Sequence, residues 1–170
     1  IRALILIHEV LTPEEMAGEV VRWSFDLACS NEGFEERRLG PGGDLPRIAD
    51  RDCMRDYEVG YYQTFIPGEG PPLMAGPVGP GFNTICRLEV KTGALRTYAA
   101  DAGSTLQELV HVATDTPGHE GYLMCVVDLH REHLSEVIVL EAADPGRGPI
   151  CRIKLPLRLR GQVHGTWVDA

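Results

Sequence analysis

Residues 106–156 read LQELVHVATDTPGHEGYLMCVVDLHREHLSEVIVLEAADPGRGPICRIKLP, and their pattern is the clearest indication of the fold class. Four short apolar segments follow one another in it, at residues 106–113, 121–129, 135–142 and 149–156. The connections between them contain Gly, Pro and Asp or clustered charges, which favour turns. This pattern predicts a meander of antiparallel strands. Four strands in about 50 residues have the size of one blade of a β-propeller.

The upstream half continues in the same style. Further strands are predicted at residues 20–27 with 35–39, at 57–65, and at 84–90 with 95–99. A helical signal is found at Thr12-Pro13-Glu14-Glu15, which offers an N-cap, a proline at the first helical position and a capping-box glutamate, but Gly18 follows soon after. We therefore predict an all-β chain with one or two helical turns. No internal domain boundary is predicted within residues 1–170, and the Gly- and Pro-rich residues 67–81 are expected to form a mobile loop.

Composition excludes several classes of function. The formal net charge is -9 and the pI is about 5.1, so the chain lacks the excess of Lys and Arg that attracts a phosphate backbone, and we expect no nucleic-acid partner. The apolar residues 1–7 are too few for a membrane-spanning helix. The first residue is not Met, and we expect the chain to continue upstream. Five cysteines without a C-x-x-C pair indicate free thiols in a reducing cytoplasm.

Three motifs, in this order, resemble the closing third of the carotenoid cleavage oxygenase family, which includes retinal pigment epithelium isomerase and lignostilbene dioxygenases. The first is Gly43-Asp44-Leu45-Pro46-Arg47-Ile48, similar to the family's Glu-Phe-Pro-Arg-Ile. The second is Gln107-Glu108-Leu109-Val110 ahead of Gly121-Tyr122-Leu123. The third is Val163-His164-Gly165-Thr166-Trp167-Val168, which looks like the family's last strand with its histidine before glycine.

The resemblance implies a fold, a cofactor and a reaction. Family members are seven-bladed propellers that hold Fe(II) on the axis with four histidines, so this chain would supply about two to three C-terminal blades and the iron ligand His164. Three ligands and the remaining blades would lie upstream. The implied activity is cleavage of a C=C bond of a carotenoid, apocarotenoid or stilbene with O₂ to give two carbonyl products, and the ending around Arg158 looks closer to the lignostilbene branch. Any peripheral membrane contact would be made through regions outside this chain.

Two carboxylates are candidates for supporting the metal. Strict alternation would place Glu108 on one strand face with Leu106, Val110 and Val112, so a charge would sit in an apolar row and would need a partner. The resemblance implies that this partner is an iron-ligating imidazole, whose other N–H the carboxylate accepts. An exposed strand face or an ordinary salt bridge is the alternative. Asp44 occupies the place of a second such glutamate, but it is one methylene shorter and could equally be a turn residue.

The other histidines point to no site. His130 and His133 have an H-x-x-H spacing, but they lie in a predicted hairpin connection beside charged residues, where a solvated loop is expected. His8, His111 and His119 match no ligand position of the family. Two alternatives to the oxygenase therefore stay open. One is a non-catalytic fragment of a propeller that supplies a single imidazole, and the other is a self-contained β-sandwich or sheet used for binding.

Overall fold

The computed structural model describes residues 18–26, 28, 33–66, 73–74, 81–161 and 164–168. Within these ranges the chain is built from ten β-strands and two single turns of 3-10 helix, at Asp50–Asp52 and Pro145–Arg147. The strands are β1 (Val21–Ser24), β2 (Glu35–Arg38), β3 (Asp44–Arg47), β4 (Val59–Thr64), β5 (Thr84–Glu89), β6 (Leu95–Ala99), β7 (Ser104–Val112), β8 (Tyr122–Leu129), β9 (Leu134–Glu141) and β10 (Cys151–Lys154). The predicted all-β class is confirmed. The helical turn predicted at residues 12–15 and most of the loop predicted to be mobile lie outside the described residues.

The strands form three antiparallel sheets in chain order. β1 pairs with β2, the second sheet has the order β3-β4-β5-β6, and the third has the order β10-β9-β8-β7. Each neighbouring pair within a sheet is consecutive in the chain, as the meander pattern predicts. Two complete four-stranded units and one hairpin agree with the expectation of two to three blades.

The main core lies between the two four-stranded sheets. It contains Ile85 of the second sheet and Leu109, Leu123, Ile138 and Leu140 of the third, all with 0% exposure. Alternate residues of β8 and β9 enter this core because successive side chains of a strand point to opposite faces. A smaller core of Tyr62, Cys86 and Leu88 lies on the other face of the second sheet. Among the described residues, no helix has the length and apolar character needed to cross a membrane.

Strand β3 was not predicted. Its four residues include Pro46, and Leu45 has a positive φ of 54°, so the segment lacks the regular apolar alternation by which strands are recognised. β3 nevertheless pairs with β4 on either side of an irregularity between Asp44 and Arg47. It thereby completes the second sheet to four strands.

Candidate functional site

A β-bulge in β7 determines where Glu108 lies. The register of β7 on β8 shifts between Leu106 and Leu109, and both of these leucines enter the main core although they are three residues apart. A regular strand would place them on opposite faces. The expectation that Leu106 shares a face with Glu108 and Val110 is therefore wrong. The bulge leaves Glu108 with Val110 on the face that is turned away from the main core.

Glu108 is a largely buried carboxylate with three polar partners among the described residues. Its side chain is 12% exposed. One oxygen, Oε2, accepts the backbone N–H of Gly165 at 2.5 Å and lies 3.5 Å from Nδ1 of His164, a contact longer than the usual N–H···O hydrogen bond of about 2.7–3.2 Å. The other oxygen, Oε1, accepts from Nη2 of Arg47 at 3.4 Å. The structure thus brings together Glu108 and His164, which are 56 positions apart by subtraction of their residue numbers.

His164 presents one imidazole nitrogen to this carboxylate and is 79% exposed at its side chain. Because Nδ1 faces Glu108, Nε2 is the nitrogen that could coordinate a metal ion. Neutral imidazole is a suitable ligand for Fe(II), and a carboxylate behind it fixes the ring orientation. The pair therefore fits a metal site in which His164 supplies one ligand. Among the residues that the structure describes, no group of three or more His, Cys, Asp or Glu could hold a metal ion together.

Asp44 does not join this pair. Its side chain accepts the N–H of Leu45 at 2.7 Å, and the residue is exposed at the start of β3. The structure thus places Asp44 in a strand rather than in a turn, and its predicted role behind an imidazole stays a prediction. The residue of the same motif that reaches Glu108 is Arg47. Sequence reasoning missed Arg47, although it stands three positions after Asp44 in the quoted motif.

The segment around His164 covers one side of an apolar cleft. The cleft has a volume of about 200 Å³, and its apolar lining includes Val110, Met124, Val126 and Val137 of the third sheet. Residues 164–167 and Glu108 also line it. The arrangement combines apolar walls with one carboxylate and one imidazole, which is typical of a ligand site and also of a contact surface.

Two other histidines, His130 and His111, make contacts within the fold. His130 and His133 lie in the turn between β8 and β9, as predicted, and Nε2 of His130 is 2.8 Å from Oγ1 of Thr105. Burial and, to a lesser extent, the charge of Arg158 lower the pKa of His130. His111 stacks on Tyr61 of the neighbouring sheet.

An ion pair joins the two four-stranded sheets at the end of β7. Arg87 on β5 donates to both carboxylate oxygens of Glu120, from Nη2 at 2.7 Å and from Nε at 3.0 Å. The Arg87 side chain is only 6% exposed. Its hydrogen bonds lower the pKa of Glu120, and the carboxylate in turn raises the pKa of Arg87. The contact was not predicted, because Arg87 lies in the second sheet and Glu120 lies in a connection of the third.

Comparison with known proteins accounts for almost the whole chain. Residues 6–169 match the sequence profile described as retinal pigment epithelial membrane protein. The chain is 32% identical to lignostilbene-alpha,beta-dioxygenase isozyme III of Sphingomonas paucimobilis, covering 88% of this chain and 31% of that protein. It is 26% identical to isoeugenol monooxygenase of Pseudomonas nitroreducens, covering 95% and 34%.

The fold is also shared with a solved structure. The crystal structure of Pseudomonas brassicacearum lignostilbene dioxygenase superposes with a TM-score of 0.81 at 32% identity, covering 95% of this chain and 35% of that one. The likeness confirms the prediction that the sheets are part of a β-propeller. The chain spans about a third of the length of the proteins that it matches.

Proposed function

Since the chain belongs to the retinal pigment epithelial membrane protein family, that of the carotenoid cleavage oxygenases, we propose that it forms part of an Fe(II)-dependent dioxygenase that cleaves a C=C bond. The substrate class that we propose is a phenolic stilbene or a related apolar alkene. Support comes from the relatives whose names contain lignostilbene and isoeugenol, because each of these two compounds carries an aryl-substituted double bond. In the reaction, the alkene and O₂ yield two carbonyl compounds, so every atom is retained.

The observation that supports this function best is the contact between Glu108 and His164. We propose that Nε2 of His164 is one iron ligand and that Glu108 holds the ring through Nδ1. When bound, Fe(II) supplies the activation of O₂. This chain's own residues orient the imidazole and offer apolar surface at Val110 and Met124 beside it. The four cysteines of the described residues are all free, which supports a cytoplasmic location.

The chain by itself is proposed to be inactive. A mononuclear iron site requires several convergent ligands, and the described residues offer His164 without two further partners. The other ligands would come from the part of the protein that corresponds to the remaining two thirds of its relatives. The same part would complete the propeller and cover the open face of the third sheet.

The test compares the complete polypeptide that contains this chain with its His164→Ala variant. Both are supplied with Fe(II), O₂ and a 4-hydroxystilbene, and iron content and aldehyde product are measured. We expect His164→Ala to lose both, while the control His133→Ala, an exposed residue of the β8–β9 turn, should keep both. The isolated 170-residue chain should yield no aldehyde above its own His164→Ala variant. Turnover that survives His164→Ala would refute the proposed role.

A further inference from the structure

Arg47 reaches the Glu108–His164 pair from the neighbouring sheet. It lies at the end of β3, whereas Glu108 lies in β7, and the two side chains meet with an Nη2–Oε1 distance of 3.4 Å. The Arg47 side chain is 28% exposed and that of Glu108 is 12% exposed. The contact is therefore largely shielded from solvent, where an ion pair is screened less than at the surface.

Both strands are irregular at the point where these side chains meet. The register of β3 shifts between Asp44 and Arg47, and the register of β7 shifts between Leu106 and Leu109. A bulge bends its strand and redirects a side chain, and bulges are over-represented beside functional sites. Two bulges in adjacent sheets turn Arg47 and Glu108 toward each other. The presence of a bulge on each side of the contact indicates that the contact is a specific feature of this fold.

The two oxygens of Glu108 have separate partners. Oε1 accepts from Arg47, and Oε2 accepts from the Gly165 N–H beside Nδ1 of His164. A carboxylate held at one oxygen cannot rotate freely at the other, so Arg47 fixes the direction in which Oε2 points. Arginine suits this task because its guanidinium is planar and always charged. Arg47 also compensates the burial of a carboxylate whose other neighbours in the structure are an imidazole and an amide.

We propose that Arg47 is a positioning residue for the metal ligand: it holds Glu108, and through Glu108 it orients His164 and the segment that begins at Gly165. The metal part of this inference rests on the proposed function. The positioning part does not, because the contacts among Arg47, Glu108 and Gly165 exist in the protein chain itself.

The experiment uses the complete polypeptide with the variants Arg47→Gln, Arg47→Lys, Glu108→Gln and the double variant of Arg47→Gln with Glu108→Gln. A matched control is Arg87→Gln, which also breaks an ion pair between the same two sheets. Two quantities are measured. One is the exchange rate of the Gly165 amide hydrogen, and the other is the rate at which bound Fe(II), or Co(II) as a spectroscopic substitute, is lost to a chelator.

We expect Arg47→Gln to speed Gly165 exchange about 5-fold, the equivalent of one weakened hydrogen bond, and to speed metal loss about 10-fold. Arg47→Lys should fall between Arg47→Gln and the natural protein, because it keeps the charge without the planar geometry. Arg87→Gln should affect both quantities less than Arg47→Gln does, because its ion pair is with Glu120 and not with Glu108. In the Glu108→Gln background, Arg47→Gln should add less than about 2-fold, since both residues act through one contact.

Three results would overturn the inference. Each of them is sufficient. The first is an unchanged Gly165 exchange rate in Arg47→Gln. The second is an effect of Arg87→Gln equal to that of Arg47→Gln, and the third is a double variant in which the effects of Arg47→Gln and Glu108→Gln multiply in full. Should Arg47→Gln fail to fold, Arg47→Lys gives the same decision from its Gly165 exchange rate. If the natural polypeptide takes up no Fe(II), the proposed function fails, and amide exchange still decides whether Arg47 positions Gly165.

Discussion

Replacing Glu120 with glutamine should loosen the contact between the two four-stranded sheets. Glu120 lies in the connection between β7 and β8, and its carboxylate accepts two hydrogen bonds from Arg87 of β5. Tyr61 of β4 donates a third, longer one at 3.4 Å. The substitution keeps the size of the side chain and removes its charge and one acceptor. The effect therefore reports the electrostatic part of the contact.

The magnitude follows from what remains around Arg87. Its side chain is 6% exposed, so the guanidinium has little access to water, and of the charged partners found in the described part of the chain it keeps Glu89 at 3.2 Å. Breaking a buried ion pair costs about 3–5 kcal/mol. Because Glu120 is 32% exposed and Glu89 remains, we expect a loss of stability below this range, of about 2 kcal/mol. That free energy corresponds to about 30-fold in an opening equilibrium.

Hydrogen exchange measured by mass spectrometry on the complete polypeptide is the suitable assay, because it reports local opening without requiring two-state unfolding. Amides of β4, β5 and residues 119–123 should exchange about 30-fold faster in Glu120→Gln. The matched control is Glu58→Gln, which removes the exposed partner of Lys91 and should change little.

The pH dependence has a definite sign. Arg87 lowers the pKa of Glu120 in the folded protein, so the ionised form is favoured by folding. The stabilisation is present above the unfolded-state pKa of about 4.3 and is lost as pH falls through the lower, folded-state pKa. The difference in stability between the natural protein and Glu120→Gln should thus be constant near pH 7 and disappear well below pH 4. If Glu120→Gln speeds amide exchange no more than Glu58→Gln does, the Arg87–Glu120 ion pair does not hold the two sheets together.

Three further substitutions or treatments test other parts of the structure. Glu108→Gln should lower iron affinity of the complete polypeptide by about 10–100-fold, measured by chelator competition, whereas Glu136→Gln, a buried carboxylate on β9, should not. Leu123→Ala should cost about 2–5 kcal/mol in urea denaturation because Leu123 is 0% exposed, and an effect below 1 kcal/mol would contradict the assigned core. Iodoacetamide should label the exposed thiols quickly and the buried ones only after unfolding. Among the cysteines that the structure describes, Cys53 and Cys151 are exposed, whereas Cys86 and Cys125 are buried, and burial raises the pKa of Cys86 to about 11 and that of Cys125 to about 12.

Most of the fold was predictable from local pattern. Nine of the ten strands coincide with predicted segments, since turn residues bound them and apolar residues recur along all of them except β2. Consecutive strands then pair, because short connections join antiparallel neighbours. β3 escaped prediction because it has four residues, with one aliphatic residue followed by Pro46, and offers no alternating apolar pattern.

The site was predictable only where a motif named it. His164 and Glu108 were chosen from the ordered motifs, and the structure brings them to 3.5 Å. Asp44 was chosen on the same basis, yet its carboxylate turns to Leu45. A motif gives the residue type and its position in the chain. It does not give the direction of a side chain that depends on a neighbouring sheet.

The sequence alone determined the all-β class, the order of the strands and the family, because each depends on local alternation or on residues close together in the chain. Tertiary structure alone decided the face on which Glu108 lies, since the bulge between Leu106 and Leu109 breaks the alternation from which a face is inferred. It also decided that Arg47 meets Glu108, 61 positions away. The physical reason is that a strand's period is local, whereas the partner of a buried charge is set by how two sheets stack.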